Sequence, residues 1–104
     1  MSHVPLSPRT TSRLRALFAD EDRAEAERLL VEDCGDNLPF CEGSNASSLE
    51  RIRFAVLKLS DGELPKLIEA IVLAQTDWRD LLVVAGFAND IHAHDSWHPD
   101  IRAV

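Results

Sequence analysis

Residues Ser47–Phe87 read SSLERIRFAVLKLSDGELPKLIEAIVLAQTDWRDLLVVAGF, and this stretch decides the fold. Ser47 with Glu50, and Ser60 with Glu63, both spell S-x-x-E directly before an apolar run. In that pattern hydroxyl and carboxylate each satisfy a backbone N–H that the first helical turn leaves unpaired, so each box predicts a helix start. The first predicts a helix over about 48–59. There Leu49, Ile52, Val56 and Leu59 recur at 3-4-3 spacing, and Phe54, Ala55 and Leu57 widen the apolar arc beyond one stripe. The second predicts a helix over about 61–75, with Leu64, Leu67, Ile68 and Ile71 as its apolar positions. Pro65 falls in its early turns, where a missing donor is most easily tolerated. Thr76 is then the expected cap of a further helix that carries Trp78, Leu81, Leu82 and Ala85 on one side and stops at Gly86.

Upstream, Ser7-Pro8 reads as an N-cap followed by proline at the first helical position, and the helix it opens runs to about Phe18, burying Leu14, Leu17 and Phe18. Asp20 can cap a second helix, with Glu21 and Asp22 in its first turn, Ala26, Leu29 and Leu30 inward, an end near Asp33 and Gly35 as left-handed terminator. One kinked helix is the alternative for this pair. Residues 34–46, CGDNLPFCEGSNA, form the clearest loop, and residues 1–7 read as a flexible arm. Asn89 or Asp90 can open a last short turn before Pro99, and 88–104 form a His- and Asp-rich C-terminal segment. The expected architecture is a single all-α domain over 1–104, a compact orthogonal bundle of about five helices with a short C-terminal helical turn or tail. The absence of Tyr, the four glycines and the lack of Val/Ile/Thr alternation weigh against a sheet protein.

At 104 residues with 45% hydrophobic side chains, the chain suits one domain with its own core. Its formal charge of −7 is unevenly spread. Residues 1–15 hold Arg9, Arg13 and Arg15 without an acid, whereas 16–50 hold ten acids against Arg23 and Arg28. That acidic middle repels a phosphate backbone and weighs against nucleic acid as a partner. It favours a protein with a basic surface, met by Glu21, Asp22, Glu25 and Asp36, with Trp97 adding apolar contact. Nine of the eleven bases are Arg, which reads as composition bias because no spacing suggests phosphate clamps. No run reaches the roughly 18 apolar residues of a membrane span, and the N-terminal segment lacks the apolar region of a secretory signal. With Cys34 and Cys41 as its only cysteines, a reducing cytoplasm is the expected setting.

The densest set of ligand-type side chains lies in the tail, where His92, His94, His98, Asp90 and Asp95 offer imidazole and carboxylate donors suited to zinc or another first-row divalent metal. His-x-His places two rings on one side of an extended segment, whereas His94 and His98 share a face of a helix, and no regular backbone aligns all three. Cys34 and Cys41 are too far apart for a zinc knuckle, although with His92 and His94 they have the ligand count of a Cys2His2 site. A metal-binding regulatory or storage module is therefore the alternative to an interaction module, and the latter needs no cofactor. Asp77 and Asp80 beside Arg79 resemble a carboxylate pair but suit a helix dipole equally well. No nucleophile elbow, P-loop, zincin or dinucleotide motif occurs, so no catalytic activity is expected. The wide apolar arc of the helix at 48–59 further suggests a homodimer, with the surplus buried against a second chain.

Overall fold

The computed structural model describes residues 5–34 and 46–88 together with His94 and Trp97, with the backbone alone for 46–48. Four helices follow one another among the described residues: α1 (Pro8–Leu17), α2 (Asp20–Asp33), α3 (Ala46–Ser60) and α4 (Leu64–Ala85). The all-α architecture is as the sequence indicates, with four helices where five were expected.

α1 starts as its sequence dictates. Ser7 Oγ accepts from the Thr10 backbone N–H at 3.1 Å and Pro8 occupies the first turn. The chain leaves α1 at Phe18, whose backbone is extended, and re-enters a helix after Ala19, so α1 and α2 are two helices and not one kinked rod. Asp20 is not the cap of α2. Ala19 holds that position without a side-chain bond, and Asp20, Glu21 and Asp22 fill the first turn, where carboxylates offset the positive end of the helix dipole.

The two S-x-x-E boxes are used differently from the expectation. α3 begins at Ala46, one residue before Ser47, and Glu50 turns its carboxylate to α1, accepting from Ser7 Oγ and pairing with Arg9 at 3.1 Å. Ser60 closes α3 instead of opening α4: its hydroxyl donates to the Leu57 carbonyl at 2.7 Å and accepts from the Gly62 N–H at 3.2 Å. Glu63 becomes the N-cap of α4 with no side-chain cap bond. A local hydroxyl serves a spent carbonyl as readily as an orphan N–H, and a reversal of only three residues leaves Ser60 within reach of both. The reversal needs left-handed backbone at Asp61 (φ 52°) and Gly62 (φ 77°), and a Cβ on Gly62 would stand 2.5 Å from the Leu17 carbonyl oxygen.

The expected fifth helix is the second half of α4. Asp77 departs from helical geometry (φ −155°, ψ 86°), and its carboxylate accepts from the Asp80 N–H at 3.2 Å, so Asp77 caps the restart and Thr76 does not. Gly86, at φ 84°, ends α4 with a Schellman arrangement in which the Phe87 N–H reaches the Leu82 carbonyl at 2.9 Å and the Gly86 N–H reaches Val83 at 3.1 Å.

α3 lies at the centre and packs most extensively on α4. Every residue from Ile52 to Leu57 is buried, so its wide apolar arc is covered by its own chain, and the argument for a dimer through this helix falls. Leu14 and Phe18 of the α1 segment, Ala26, Leu29 and Leu30 of α2, and Leu67, Ile71, Ala74, Leu81 and Leu82 of α4 complete the core.

The arginines have a structural use that composition does not reveal. Arg53, buried in α3, donates from Nε to the Cys34 carbonyl at 2.9 Å, from Nη1 to Pro5 at 3.0 Å, and over a longer 3.4 Å to Leu30. Arg23 donates to the carbonyls of Phe18 and Arg15 at the end of α1. Lys58 donates to Ala85 at 2.7 Å, and Arg51 to Phe87, at the end of α4. Cations thus sit where the helices leave carbonyls unpaired and partial negative charge accumulates. The bond to Pro5 also anchors the described part of the arm read as flexible.

Candidate functional site

α2 presents the acidic surface. Its inward side holds Ala26, Leu29 and Leu30, while Glu21, Glu25, Glu27 and Glu32 are exposed and Asp22 is half-buried. Arg28 bridges part of this surface, pairing with Glu25 one turn before it and with Glu32 one turn after it at 3.1 Å. The hydrogen bond from Arg28, with its charge adding to the effect, holds the Glu25 carboxyl below the usual glutamate range. Hydrogen bonding to Glu25 likewise raises the Arg28 guanidinium above its already high value. Arg23 pairs with Asp20. Among the described residues no ion pair takes up Glu21 or Glu27, so the first two turns of α2 keep unneutralised negative charge. Asp36 lies outside the described residues.

Trp97, expected as a contact residue, is half-buried. Its ring packs against Phe54 and Phe87 at centroid separations of 6.1 and 6.4 Å, and its carbonyl accepts from Arg13 Nε at 2.8 Å. Arg13 itself is buried, with its guanidinium 4.4 Å above the Phe54 ring. Trp97 is thereby pinned to α1 and α3, a contact with no signal in local sequence because it joins positions 84 residues apart.

Of the five tail residues considered as metal ligands, only His94 is described. It is 2% exposed, with its ring edge-on to Phe54 at 5.1 Å and near Phe87 at 6.3 Å. Asp90, His92, Asp95 and His98 lie outside the described residues. Among the described residues no three His, Cys, Asp or Glu side chains form a group able to hold a metal ion. Cys34 is fully buried at the end of α2, and Cys41 lies outside the described residues.

Two further features were not singled out from sequence. Ser7, Thr10, Glu50 and Arg53 line a cleft of about 190 Å³ between the start of α1 and α3, with Pro5, Leu6 and Leu49 as its apolar walls. Three of its polar residues are engaged with one another: Ser7 Oγ binds Glu50, accepts from the Thr10 N–H and lies 3.0 Å from Thr10 Oγ1. This joins two helices and commits the serine hydroxyl. The other feature is the outer side of α4, where Ile68, Val72, Val83 and Val84 are exposed. Ile68 was expected in the core with Leu67 and Ile71; the core side of α4 is instead set by Leu67, Ala70, Ile71 and Ala74. The signal lay in the sequence, since apolar residues occupy more of α4 than one stripe.

Comparison with protein-family models, with curated proteins and with solved structures gives no significant match for this chain.

Proposed function

We propose that the protein is a small helical interaction module that recognises a basic protein surface through the outer face of α2, working by contact and not by catalysis. The observation supporting this reading is that five basic side chains are spent on burial or on helix-end carbonyls, whereas exposed acids of α2 are not. Arg13 and Arg53 are buried, and Arg23, Arg51 and Lys58 bind carbonyls at helix ends. Their charge offsets the negative ends of the helices. The exposed Glu21, Glu25 and Glu27 have no such internal task, and Glu21 and Glu27 remain without an ion pair among the described residues. A surface of this kind steers a basic partner and sets the orientation of the encounter more than it sets raw affinity.

Trp97 contributes to folding in this reading, since its ring rests on Phe54 and Phe87. A cytoplasmic setting belongs to the same proposal and rests on the sparse cysteines. No described helix is long and apolar enough to cross a membrane.

The test is calorimetric titration of the full chain with a Lys/Arg-rich helical peptide over increasing salt. Affinity falls as salt rises, and Glu21→Lys with Glu27→Lys weakens it at least about tenfold, the scale of 1.4 kcal/mol of lost electrostatic attraction. Binding unchanged by both reversals contradicts the reading.

A further inference from the structure

α4 is apolar on two sides. Its inward positions are Leu67, Ala70, Ile71 and Ala74 before the break at Asp77, and Leu81, Leu82 and Ala85 after it. Its outward side holds Ile68, Val72, Val83 and Val84, exposed by 48%, 53%, 62% and 58%. Ile68 and Val72 lie about one turn apart on the half before the break, and Val83 and Val84 lie on the outer side of the half after it. Together the four expose on the order of 400 Å² of surface, within the range of the largest apolar patches on monomers, which are often functional.

We infer that this face is covered by the same face of a second copy, in a two-fold dimer with the α4 helices antiparallel. A standard interface takes about 800 Å² from each partner, a little over half of it apolar. The apolar residues of α4, with the exposed Lys66, Glu69, Arg79 and Asp80 beside them, suit one side of such an interface. Charge points the same way. A chain at −7 repels its own copy at an acidic surface, and α2 holds seven acids against two bases. α4 is close to neutral, with Glu69, Asp77 and Asp80 against Lys66 and Arg79.

A two-fold interface must also complement itself. Antiparallel pairing brings the half of α4 that carries Ile68 and Val72 beside the half of the second copy that carries Val83 and Val84. The same pairing brings Glu69 of the first half toward the oppositely charged Arg79 of the second half in the other copy, whose aliphatic stem covers apolar surface. The inference uses a different surface from the acidic face of α2 and stands apart from it.

Sedimentation equilibrium of the full chain over a concentration series tests it. The expected mass is twice the 11.6 kDa of one chain, and Val72→Glu or Val83→Glu gives a monomer with unchanged helical circular dichroism. Glu69→Arg and Arg79→Glu each weaken the dimer several-fold, and the double exchange restores it. A monomeric wild type, which leaves the face to a different partner, overturns the inference. So does a dimer that survives both glutamate substitutions, or a double exchange no better than either single one. Binding of the basic peptide by α2 is unaffected by Val72→Glu, so failure of one proposal is distinguishable from failure of the other.

Discussion

Arg53, in the middle of α3, donates its Nε proton to the carbonyl of Cys34, the residue at which α2 ends, at 2.9 Å. One buried cation thus fastens the end of α2 to the central helix, and through Pro5 it also holds the segment leading into α1. Replacing Arg53 with Met leaves these carbonyls without their charged donor. Bonds to charged groups contribute about 1.5–3 kcal/mol each and a stranded acceptor adds its own penalty, so a loss of about 3 kcal/mol is expected. Arg53→Lys recovers only part, because an ammonium cannot present donors along the three directions that the guanidinium spans. Urea denaturation with matched m-values checks both.

Gly62 is the second position where one atom matters. Gly62→Ala puts a Cβ 2.5 Å from the Leu17 carbonyl in a left-handed conformation, and a destabilisation of about 2 kcal/mol or more is expected. Asp61→Gly, at φ 52°, relaxes the turn and is neutral or stabilising. The midpoint of the thermal melt therefore falls for Gly62→Ala and holds or rises for Asp61→Gly.

The restart of α4 is tested by paired alanine substitutions. Asp77→Ala removes the acceptor for the Asp80 N–H and costs about 1 kcal/mol, the usual value of an N-cap. Thr76→Ala changes stability by a few tenths of that. Equal effects at the two positions, read from denaturation midpoints, would move the cap back to Thr76.

Glu25 supplies a pH signature. Its carboxyl is held below the glutamate range by the hydrogen bond from Arg28, so the favourable contribution is fully present above the unfolded value and is lost as pH falls through the folded one. NMR titration of the side-chain carboxyl should place Glu25 below the usual glutamate range, and Arg28→Gln should return it toward that range. The pair is solvent-exposed, so the effect on overall stability is small.

The fold was legible wherever local chemistry sufficed. Ser7-Pro8 marks the start of α1, Gly86 the end of α4, and the density of apolar residues from Ile52 to Leu57 marks α3 as the central helix. Reading went astray where a polar side chain had two local uses. Ser60 finishes one helix where its motif suggested starting the next, and Asp77 holds the cap one residue beyond Thr76. The long-range clamps of Arg13 and Arg53 were invisible because their partners are backbone carbonyls, and a carbonyl carries no mark in sequence. The acidic side of α2 was legible from charge and period together. The surplus of apolar residues on α4 was legible too, but which of them face outward was not, since Ile68 follows Leu67 directly and only the packing decides which of two adjacent apolar residues turns inward.

The central claim is that recognition belongs to the outer face of α2. Amide chemical-shift mapping of the full chain with a Lys/Arg-rich helical peptide, at low and physiological salt, tests it most directly. Perturbations should cluster at Glu21, Glu25 and Glu27, weaken together as salt screens the attraction, and vanish in the Glu21→Lys, Glu27→Lys variant. Perturbations that instead spread over the acids of α4, or that persist in the charge-reversed variant, would contradict it.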